Sequence, residues 1–102
     1  MIQITRYDGG IAIQGHAGYA PIGQDIVCAA VSALVQTFIA SIEELTTDKI
    51  KAVTNEQGQI QNIEYSSLSE HGQVLEGCFF IGLQMIADSY PANVQIAQAR
   101  KA

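Results

Sequence analysis

Twice along this chain a pair of alternating runs leads into a long segment with helical spacing, and that repeated order constrains the fold more than any other feature. IQITRY, from Ile2 to Tyr7, and IAIQGH, from Ile11 to His16, place apolar residues at every second position. The Asp8-Gly9-Gly10 triplet between them is a hairpin turn signal. A helical segment follows from about Asp25 to Leu45. KIKAVTNEQGQIQNIEYSS then repeats the plan, with a turn around Gly58, and leads into a second helical segment from about Glu70 to Ser89. Ser67 and Glu70 have the spacing of a capping box, and Pro91 follows the helix end. ANVQIAQ closes the chain as a short fifth strand. The order ββα, ββα, β predicts an α+β fold, a mostly antiparallel sheet packed with two helices as a two-layer sandwich. The two ββα halves suggest a pseudo-repeat.

A length of 102 residues predicts a single domain over 1–102 with one modest core. The first helix is more apolar than a one-sided helix needs. Ile26, Val27, Ala29, Ala30, Val31 and Ala33 through Val35 leave little polar surface, which predicts cover on several sides and a homodimer built in part on this helix. The longest apolar stretch, Ile26 to Ala40, is broken by Ser32, Gln36 and Thr37 and is shorter than the roughly 20 residues of a membrane helix. No signal-peptide layout opens the chain. The expectation is a cytoplasmic protein without membrane contact, in which Cys28 and Cys78 are free thiols. A net charge of −5 and the lack of a basic cluster argue against direct nucleic-acid binding and favour a basic protein partner.

The candidate chemistry lies in GHAGYAPIGQDIVCAAVS, Gly15 to Ser32, where a loop histidine and a helix-start cysteine stand twelve residues apart. At about 100° per residue, Asp25, Cys28, Ser32 and Gln36 fall within about 80° of one another. A cysteine in a first helical turn meets the positive end of the dipole, and a nearby histidine can take its proton. The orphan amides of that turn can hold an oxyanion. Asp25 is a candidate N-cap, or alternatively orients His16. The same residues also admit plainer readings. Cys28 can be a small buried hydrophobe, Ser32 a residue bonded to its own helix, and the glycines turn formers. Cys78, among Gly77, Phe79, Phe80 and Ile81, is read as buried packing, and His71 as solvated. His16 and Cys28 lack the paired spacing of a metal site, and no P-loop, dinucleotide fingerprint or C-x-x-C occurs, so neither metal nor cofactor is expected.

The motif G-H, a variable loop, then G-x-D-I-V-C-A-x-x-S resembles the Prp family, the ribosomal-processing cysteine proteases of Firmicutes and related bacteria. It is matched by Gly15, His16, Gly23, Asp25, Ile26, Val27, Cys28, Ala29 and Ser32. The resemblance covers the whole chain. It implies Cys28 as nucleophile and His16 as general base and then acid, with Asp25 and Ser32 as supporting positions. It also implies a homodimer and a substrate-ordered loop that here contains Gly18, Tyr19, Pro21 and Gly23. The implied substrate is the short N-terminal extension of the twenty-seventh large-subunit ribosomal protein. Two competitors for the same residues are a non-catalytic module that binds or chaperones a ribosomal protein and a thiol redox protein. The second is disfavoured by the lack of a resolving cysteine beside Cys28.

Overall fold

The computed structural model describes residues 1–21 and 23–98. Its elements are β1 (Ile2–Tyr7), β2 (Gly10–Gln14), α1 (Ile26–Leu45), β3 (Lys51–Thr54), β4 (Ile60–Glu64), α2 (Glu70–Ser89) and β5 (Val94–Gln98). The α+β order is the expected one. The strands form one sheet in the order β3-β4-β2-β1-β5. The two hairpins and the β2–β4 seam are antiparallel, while β5 lies parallel to β1 from Ile2↔Val94 to Arg6↔Gln98.

Period-two alternation carries Ile2 and Ile4 of β1, Ile11 of β2, Ile63 of β4 and Val94 of β5 into one buried layer. Both helices cover that layer. α1 meets it with Val27, Val31, Val35, Phe38 and Ile42, and α2 with Phe79, Leu83 and Ala87. The helices lock together where Phe38 stacks on Phe79, with ring centroids 4.8 Å apart and planes 10° from parallel. One charge is buried in this layer. Glu76 of α2 accepts from the Arg6 guanidinium and the Tyr65 hydroxyl, and Arg6 also lies 4.4 Å over the Phe80 ring. Burial and the bond to Glu76 push the Tyr65 phenol well above its ordinary value, so it stays a donor. A buried carboxylate with both oxygens bonded ties α2 to the sheet.

Three expectations change. Ser69, not Ser67, caps α2: its Oγ accepts from Gly72 N at 3.1 Å and donates to Asp48 Oδ2 at 2.9 Å. Strand β2 stops at Gln14, so His16 lies beyond the strand. Cys78 is exposed, because the GCFFIG run turns Phe79 inward and its neighbour outward. α1 is covered by the sheet and, through Leu34 and Phe38, by α2. Its outer side carries Ala29, Ser32, Ala33, Gln36 and Ala40, with Ile26 and Leu45 exposed near its ends. On α2 the exposed large apolar residues are Val74, Ile81 and Met85. With 20 residues, α1 is long and apolar enough by length and composition to cross a membrane, yet its valine stripe is packed against the sheet.

Ile63 is fully buried at the junction of β4 with β2 and both helices' layer. Ile63→Ala should lower unfolding free energy by about 2–5 kcal/mol, whereas Gln95→Ala on the exposed face of β5 should change it by no more than about 0.5 kcal/mol. Urea unfolding followed by circular dichroism measures both.

Candidate active site

Strand β2 ends because Gly15 adopts φ +90°, and a Cβ there would lie 2.3 Å from the Met1 carbonyl oxygen. Only glycine permits both the turn and the approach. The next residue, His16, is therefore thrown clear of the sheet and exposed. Ala17 turns back into the core and is 2% exposed. Its carbonyl accepts from Asn93 Nδ2 at 2.8 Å, and its N–H donates to Cys28 Sγ at 3.3 Å. The backbone beside the histidine is thus bolted to the thiol on one side and to the turn before β5 on the other.

Asp25 sets the start of α1. Oδ1 accepts from Val27 N and Cys28 N at 3.0 Å each, while Oδ2 accepts from Tyr19 N at 3.0 Å and Ala20 N at 3.4 Å. Desolvation pushes this carboxyl up, and the four N–H groups of Cys28, Tyr19, Ala20 and Val27 together outweigh it, leaving it below the ordinary aspartate value. Asp25 is therefore a cap and a clasp for the loop, and its oxygens are taken up by backbone rather than by His16. Of the first-turn amides expected to hold an oxyanion, those of Val27 and Cys28 donate to Asp25. The rest of the loop is braced by Gln24 N donating to the Pro21 carbonyl at 2.9 Å and by Tyr19 packing edge-on against Tyr90 at 5.3 Å. Gly18 and Gly23 adopt positive φ in open surroundings.

Cys28, half-buried, opens onto a cavity of about 470 Å³. One wall is α1, with Cys28, Val31, Ser32, Val35 and Gln36; another is the end of β2 from Ile13 to His16. The third wall is the tip of the β3–β4 hairpin, from Asn55 and from Gly58 to Gln61, with Ile2 between the walls. The expected Cys28–Ser32–Gln36 stripe faces this space, and His16 joins it across the cavity mouth. Asp25 lies outside it, and His71 is exposed at the start of α2. Among the described residues, the lining has no ionisable side chain apart from His16 and the thiol itself. A neutral, partly apolar trough beside a thiol and an imidazole can hold an uncharged peptide segment against a nucleophile. Three contributors were not legible from spacing: Ala17, Asn93 and the hairpin tip. Only the tip had a local signal, the turn at Asn55 to Gly58.

The folded Asp25 carboxyl titrates below its unfolded value. Its hold on the loop is therefore complete above the ordinary aspartate range, about 3.9, and is lost as pH falls through the depressed value. Amide exchange at Tyr19 and Ala20, corrected for intrinsic rates, should stay slow near pH ~5 and rise only on further acidification. In Asp25→Ala those amides should exchange freely at every pH.

Residues 1–95 match the family model described as cysteine protease Prp. A ribosomal processing cysteine protease Prp from Mycoplasma genitalium is 30% identical over 96 residues, covering 94% of each chain. A crystal structure from Streptococcus mutans superposes with a TM-score of 0.81 at 29% identity, covering 99% of this chain and 96% of that one. The ribosomal processing protease Prp from S. aureus, solved with a covalently linked product peptide, shares the fold at a TM-score of 0.91 and 23% identity, covering 97% of this chain and all of that one.

Proposed function

We propose, from the premise that this chain belongs to the Prp family of ribosomal processing cysteine proteases, that Cys28 is its nucleophile and His16 its general base and acid. The observation that carries this reading is that both side chains line one cavity while the amide next to His16 donates to Cys28 Sγ. Among the described residues the imidazole makes no hydrogen bond, so it is free to swing onto the sulfur when substrate fills the trough. His16 takes the thiol proton, Sγ attacks the scissile carbonyl, and the Ala17 N–H meets the charge on sulfur. The imidazolium then gives its proton to the leaving amine. Water, deprotonated by His16, cleaves the thioester and frees the thiol.

Asp25 supports this chemistry by clasping the loop, and Ser32, one helical turn beyond Cys28, offers a hydroxyl to the substrate backbone. Gly18, Tyr19, Pro21 and Gly23 form the cover over the bound segment. The substrate is the N-terminal extension of the basic twenty-seventh large-subunit ribosomal protein, cut in the cytoplasm by one protease domain spanning 1–102, without nucleic-acid or membrane binding. The enzyme works as a homodimer. Besides α1, which leaves Ile26 and Leu45 exposed, α2 offers a seam, with Val74, Cys78, Ile81 and Met85 exposed at the spacing of a two-helix contact.

Mass spectrometry of a peptide spanning the extension and the first mature residues tests the activity. The unmodified protein should shorten the peptide, Cys28→Ala should leave it whole while remaining folded, and Cys78→Ala should keep most activity. His16→Ala should lose about 10²–10⁴-fold in rate and slow alkylation of Cys28 by iodoacetamide in the presence of uncleavable peptide. An intact peptide after incubation with the unmodified protein would overturn the assignment. For the dimer, Ile81→Lys should yield a monomer by sedimentation, and a stable monomer of the unmodified chain at micromolar concentration would refute the α2 seam.

A further inference from the structure

The sheet splits open beside the active site. Pairing of β2 with β4 runs through Gly10↔Glu64, Ile11↔Ile63 and Ala12↔Asn62 and then stops. Yet β2 continues to Gln14 and β4 begins at Ile60. On their other side Ile13 and Gln14 remain paired with Ile4 and Gln3, so β2 is still a regular strand where, among the described residues, its β4-facing edge comes free. The cause lies across the hairpin. Val53 pairs with Asn62, but Thr54 pairs with Ile60, leaving Gln61 as an extra residue. A bulge bends its strand and increases local twist, and this one falls at the residue where pairing with β2 ends. Beyond it the hairpin tip is held rigid, with Asn55 Oδ1 accepting from Gln57 N and Gln59 N at 2.9 Å each.

We propose that the substrate enters this split as an extended strand on the free edge of β2 at Ile13 to Gly15, and that the Gln61 bulge is the device that keeps the edge open. The inference rests on the assignment of Cys28 and His16 as the catalytic pair. An uncapped edge inside a sheet is a template for a further strand, with main-chain bonds giving affinity and alternate side chains giving selection. This edge runs directly through Gly15 into His16, so a strand paired with it carries its backbone past the imidazole and the thiol. Val31 and Val35 of α1 form the apolar side of the trough that receives every second substrate side chain. Main-chain pairing supplies affinity, and the side chains received beside Val31 and Val35 set the register that brings the scissile bond to Sγ.

The test uses the fluorescein-labelled extension peptide, carrying a single N-methyl amide at each position in turn, and Cys28→Ala protein. Fluorescence anisotropy should show a period-two pattern: methylation at alternate positions weakens binding by about tenfold or more, and methylation between them leaves it within about twofold. Deleting Gln61 should restore the register, close the split and weaken the unmethylated peptide by a similar factor. If that deletion fails to fold, the methyl scan on the otherwise unmodified chain decides alone. Cleavage of the parent peptide by the unmodified enzyme is measured in parallel. A cleaved parent with a flat or non-alternating scan overturns strand docking only. A parent neither cleaved nor bound overturns the catalytic assignment and strand docking with it.

Discussion

One carboxylate holds the site together. Asp25 collects two N–H groups from the helix it starts and two from the loop that precedes it, so helix origin and loop closure are a single event. Without that convergence the orphan amides of α1 would need other partners, and the chain from Ala17 to Gln24 would have little to return for. Placed there, Asp25 determines where Cys28 stands. The thiol sits in the first turn of a helix whose other face is buried, and its sulfur receives the Ala17 N–H. Histidine and cysteine need no direct contact to be positioned, because the backbone between them is fixed at both ends.

The scaffold behind this arrangement is stiff where the site needs it stiff. Ile2, Ile4 and Ile11 anchor the two central strands, and the Glu76 bonds to Arg6 and Tyr65 pin α2 at the far end of the same sheet. The edge hairpin is different. Its tip leans away from β2 at the Gln61 bulge, and the space so made is the cavity that reaches Cys28. A single inserted residue on β4, between β3 and β2, thus opens a slot in the sheet.

Most of the scaffold was legible because its signals are local. Alternation in IQITRY, the Asp8-Gly9-Gly10 turn and the capping position of Asp25 each depend on neighbours a few residues away. The proximity of His16 and Cys28, which line one cavity, was legible from their short spacing for the same reason. What escaped depends on distant partners. Ser69 displaces Ser67 as cap because Asp48, far back in the chain, receives its N–H and hydroxyl. Cys78 faces outward because Phe79 takes the place against Phe38. The uncovered apolar surface on α2 was hidden by a weaker pattern than that of α1. Asn93 is joined to Ala17 across 76 residues, a separation no spacing rule addresses.

That last bond gives the molecule a clock. Cys28 and His16 belong to the first third of the chain, but the brace on Ala17 comes from Asn93, and β1 acquires its outer neighbour only with β5. During synthesis the N-terminal segments emerge first and must wait for the final strand before the loop can be braced. His16 and Cys28 are translated early, and the backbone between them is braced last. A nascent chain stalled before Asn93 carries His16 and Cys28 without the brace that holds the backbone between them, so the arrival of Asn93 is itself a step in fixing that backbone.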